Sequence, residues 1–117
     1  MLDTQTARFP GITADESTIE DLAKLPVMEF RGSMVSSPWP RSVSPAETQH
    51  DNTVRASYAA VALVAYTNRR GSDILETDFS DLLADMRHLA DALGINFHEA
   101  LTTSGVNYLA ETGETHE

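Results

Sequence analysis

The clearest periodicity in the chain lies between residues 78 and 93. Phe79, Leu82, Leu83, Met86, Leu89, Ala90 and Leu93 recur at i, i+3, i+4 and i+7, the spacing that gathers apolar side chains on one side of an α-helix. Asp78, Asp81, Asp85, His88 and Asp91 fall on the other side, within about 140° of arc at about 100° per residue. The pattern predicts an amphipathic helix over about 78–93, starting at Thr77 or Asp78 and stopped by Gly94. Its apolar ridge is expected in the core and its acidic stripe in water.

Two capping signals bracket further helices. Ser44-Pro45-Ala46-Glu47 reads as a capping box with proline in the first helical position. It opens a helix over about 45–70, with Gly71 at its end. Residues 59–65 of that helix are apolar nearly all round, so it is expected to be the most buried. Asn96-Phe97-His98-Glu99 is a second such box and opens a helix over about 97–111. Phe97, Ala100, Leu101, Ser104, Tyr108 and Leu109 are expected on its inner face. Gly105 costs that helix about 1 kcal/mol against alanine, and either admits a close neighbour or loosens the turn.

Upstream of residue 44 the pattern is irregular. A short helix is expected near Ser17–Leu25, capped by Asp15 or Thr13 and ended by Pro26, with Ile19, Leu22 and Leu25 as its stripe. A short extended piece at Val27–Phe30 and a Pro/Ser-rich loop around Trp39 follow, the composition of a turn-forming segment. The expected fold is therefore all-α: an irregular arm over 1–44 with one short helix, and an acidic helical domain over 45–117 built as a small three-helix bundle. Short links favour antiparallel neighbours. At this size the core is modest, which leaves room for dimerisation through residual apolar surface.

Composition narrows the chemistry. A chain of 117 residues makes one domain. Cysteine is absent, which excludes disulfides, a thiol nucleophile and thiolate metal sites. Acids outnumber bases 18 to 8 for a formal charge of −10, a balance that opposes binding to a phosphate backbone. The charge is lopsided: residues 1–70 carry eight acids and seven bases, residues 71–117 ten acids and Arg87 alone. No apolar run reaches the roughly 18–20 residues needed to span a bilayer, and Met1-Leu2-Asp3-Thr4 lacks the basic and apolar regions of a leader. A cytoplasmic location is the expectation.

The acidic stripe is the leading candidate site. A rigid row of carboxylates resembles a phosphate strand and fits the basic groove of a nucleic-acid-binding protein, as in DNA-mimicking inhibitors. The competing reading is a solvated face that keeps the chain soluble. Asp81, Asp85 and His88 also stand at i, i+4 and i+7, a spacing open to Mg²⁺ or Mn²⁺, but no metal or other cofactor is expected. All-α nucleotide pyrophosphohydrolases carry paired acidic motifs on two facing helices; here Asp78-x-x-Asp81 supplies one pair, and the 45–70 helix offers only Glu47 and Asp51. His50, His88, His98 and His116 stand in no nucleophile motif. The scattered arginines, Arg69 and Arg70 among them, are explained by ion pairs with the acidic half. Trp39 sits in a stiff Ser37-Pro38-Trp39-Pro40 segment, either as an interface anchor or as a lid on the core.

Residues 81–101, followed by Asn107-Tyr108-Leu109-Ala110-Glu111 and preceded by the Asp51–Ala56 stretch, resemble a helix–Gly–helix pattern in small uncharacterised helical proteins of bacteriophages and mobile elements. The resemblance carries no catalytic residue. It implies an accessory protein in a bacterial host cytoplasm, where small acidic proteins inhibit host machinery, including restriction and CRISPR complexes. The expected function is thus non-enzymatic: binding a protein with a basic surface through Asp78, Asp81, Asp85, His88, Asp91 and Trp39, with no direct contact to nucleic acid or membrane. The alternatives are a Mg-dependent pyrophosphohydrolase-like enzyme and a self-associating structural protein.

Overall fold

A computed structural model describes residues 5–25, 44–71 and 73–113. Within them the chain is all-α, with helices α1 (Ile19–Ala23), α2 (Pro45–Arg70), α3 (Leu75–Leu93) and α4 (Phe97–Thr112). The Val27–Phe30 piece and Trp39 lie outside the described residues. No helix among the described residues is long and apolar enough to cross a membrane.

Local signals set most helix ends. Ser44 accepts the Glu47 N–H and Glu47 accepts the Ser44 N–H, so α2 starts on a closed capping box with Pro45 behind it. Asn96 accepts the Glu99 N–H at the head of α4. Gly94 and Gly113 end α3 and α4 in the left-handed region, at φ 74° and 76°, which glycine enters without a Cβ penalty. The cap of α1 is Thr18, paired with Asp21, rather than Asp15 or Thr13.

The start of α3 departs most from expectation. It begins at Leu75, three residues before the pattern, on an Ile74 cap with no side-chain bond. Its first N–H groups are taken from outside: Leu75 N donates to Ser17 O at 3.2 Å and Glu76 N to Ala14 O at 2.9 Å. An isolated antiparallel bridge between Thr18 and Ile74 aligns the two segments. Residues from the arm therefore cap a helix far along the chain, satisfying donors that every helix start leaves open.

α2 is the common partner: it packs on α1, α3 and α4, and α3 and α4 touch each other. Beside its C-terminal half, Ile19 and Leu22 of α1, Ala60 and Leu63 of α2, and Leu75 of α3 form the buried core. Phe9, Ile12, Leu25, Val64, Tyr66 and Leu82 close around it. At the other end Asn52 Nδ2 donates to Gln5 O at 2.6 Å and to Glu111 O at 2.9 Å. Arg55 pairs with Glu111 at 3.5 Å, and the C-terminal Thr112 of α4 is buried.

Candidate functional site

The acidic stripe of α3 divides on folding. Asp78 is buried, 3% exposed, and its Oδ1 accepts the Asp73 N–H at 2.9 Å, tying down the loop before α3. Asp81 and Asp85 are half-buried. Asp85 accepts the Tyr66 hydroxyl at 2.6 Å and Arg70 Nη1 at 2.8 Å, and the Arg70 guanidinium lies 5.5 Å over the Tyr66 ring. These bonds, from Tyr66 first and then Arg70, hold the Asp85 carboxyl below its ordinary range. Partial desolvation and the bond to Asp85 push the Tyr66 hydroxyl above its usual range. Of the stripe only His88 and Asp91 are exposed. The expectation of a stripe facing solvent along its whole length is corrected here: its N-terminal half faces α2.

The reason is rotational. Leu75, Asp78, Leu82 and Asp85 turn toward α2, whereas Phe79, Leu83 and Met86 centre on a direction about 90° away around the helix. α3 thus rests on the border between its acidic and apolar sides, where Leu82 meets the core and Asp85 meets Arg70 at the end of α2. An ion pair with the acidic half was the expected role of that arginine.

An open cleft of about 230 Å³ beside this contact is lined by Tyr66, Arg70, Gly71, Asp73, Asp78 and Asp81. It is smaller than the roughly 300–1,000 Å³ typical of ligand sites. Among the described residues no three His, Asp or Glu side chains converge as metal ligands.

Most of the apolar ridge is open, although Ala90 on it is buried. Phe79, Leu83, Met86, Leu89 and Leu93 of α3 are all exposed, although the periodicity places them in the core. On α4 the expected inner face is also open: Leu101, Tyr108 and Leu109 are exposed, with Val106 beside them. Every residue from His98 to Ala110 is exposed, and a side chain added at Gly105 would meet nothing within 4 Å. With Ile95 in the link, ten large apolar side chains of this region are 42–63% exposed. α4 carries no charged residue between Ala100 and Ala110. Near its head, Arg87 covers the Phe97 ring at 4.8 Å.

Periodicity identifies an apolar stripe, not what covers it, so sequence reasoning assigned this surface to the core. The uncharged run in α4, within a half that holds ten acids, was the available signal. Comparison with protein-family models, with curated proteins and with solved structures finds no match.

Proposed function

We propose that the chain is a protein-binding module whose contact surface is the apolar side of α3 and α4. The observation that supports it is the ten large apolar side chains left 42–63% exposed on those helices and their link, far more than the scattered apolar residues of an ordinary monomer surface. A patch rimmed by polar groups is the usual form of an interaction site, and here His88 and Asp91 stand on the polar side of α3. Of the roles the resemblance implies, an accessory protein acting by contact is the one this surface favours.

The cleft beside Tyr66 favours catalysis less. Arg70 and Tyr66 already engage Asp85, and the backbone of Asp73 engages Asp78.

The reading is tested by placing a photo-crosslinking residue at Val106 or at Phe79 in cells. Discrete covalent adducts are expected from both, to a protein partner or to the chain itself. Adduct levels no higher than from the same residue at the exposed Glu20 would overturn it.

A further inference from the structure

We propose that the occupant of this surface is a second copy of the chain, the two copies meeting across a two-fold axis through α3 and α4. The proposal rests on the protein-binding reading and names its partner.

Area is the first argument. Ten side chains about half exposed leave on the order of 80–100 Å² each, so roughly 800–1,000 Å² summed over all sides of α3, α4 and their link. One partner of a standard interface contributes about 800 Å².

Charge is the second. A two-fold contact sets a patch against itself, so any charge at its centre meets its own sign. On a chain of charge −10 a charge-free surface pairs in this way without repulsion at the axis. Ala100–Ala110 of α4 is such a surface, and the ridge of α3 from Phe79 through Leu83 to Met86 adds no charge to it. A partner recognised through basic groups would instead need carboxylates in the contact.

The test is sedimentation equilibrium of the full chain, with hydroxyl-radical footprinting of Phe79, Met86 and Tyr108. A mass of twice 12.8 kDa is expected, with those side chains protected. Dissociation should weaken as salt rises, because salt screens the repulsion between two anionic copies. The double variant Leu101→Glu/Val106→Glu should raise the dissociation constant at least ~10-fold with unchanged far-ultraviolet circular dichroism; Met86→Lys provides an independent second substitution. A dimer that survives both, or one that strengthens at low salt, overturns the proposal. A monomer with the three side chains labelled freely overturns the second copy but leaves the binding surface standing. A monomer with them protected overturns both readings, since the chain then covers its own face.

Discussion

Asn52 joins three parts of the chain with one amide. Its Nδ2 reaches the carbonyls of Gln5 and Glu111, and its Oδ1 accepts from Arg55 at 2.9 Å. Asn52→Ala strands two carbonyls in a half-buried setting, so a loss of about 2–4 kcal/mol is expected in urea unfolding. A loss below ~0.5 kcal/mol would show that the contact carries little. Asp85 acts through titration. Its carboxyl is held low in the folded state by Tyr66 and Arg70, so its contribution is present above the unfolded carboxylate range, about pH 4. That contribution fades as pH falls through the folded value. Asp85→Asn should remove this part of the acid limb, and the two stability profiles should converge at low pH; parallel profiles would contradict the assignment. Neither role is legible locally. An asparagine inside a helix reads only as a modest propensity cost, and its carbonyl partners lie 47 and 59 residues away.

The four helices show where sequence reading reaches and where it stops. Both ends of α2, the end of α3 and the start of α4 were legible because Ser44, Glu47, Gly71, Gly94 and Asn96 act within a turn of where they stand. The start of α3 was not, because Ala14 and Ser17 supply its cap from another segment. Nor was the facing of α3: its ridge and stripe are both real, but the helix packs on the border between them. Leu89 of that ridge therefore differs in burial from Leu63 of α2. Leu63 is buried in the core, and Leu63→Ala is expected to cost about 2–5 kcal/mol. Leu89 is half exposed, and Leu89→Ala should stay within about 0.5 kcal/mol at concentrations too low for association. Chemical denaturation of both variants checks the contrast; equal losses would place Leu89 in the protomer core after all.

At the scale of the molecule, α2 serves as a spine that meets α1, α3 and α4, and among the described residues α4 is buried only at Thr112. Among the described residues, ten large apolar side chains of α3, α4 and their link stay exposed. The acidic residues are concentrated after residue 71, whereas Ala100–Ala110 of α4 carries no charge.

The borrowed cap of α3 also has a temporal side. The ribosome delivers the amino end first, so Ser17 and Ala14 are synthesised 58 and 62 residues ahead of Leu75 and Glu76, whose N–H groups they accept. The later helix start therefore emerges with its cap already made.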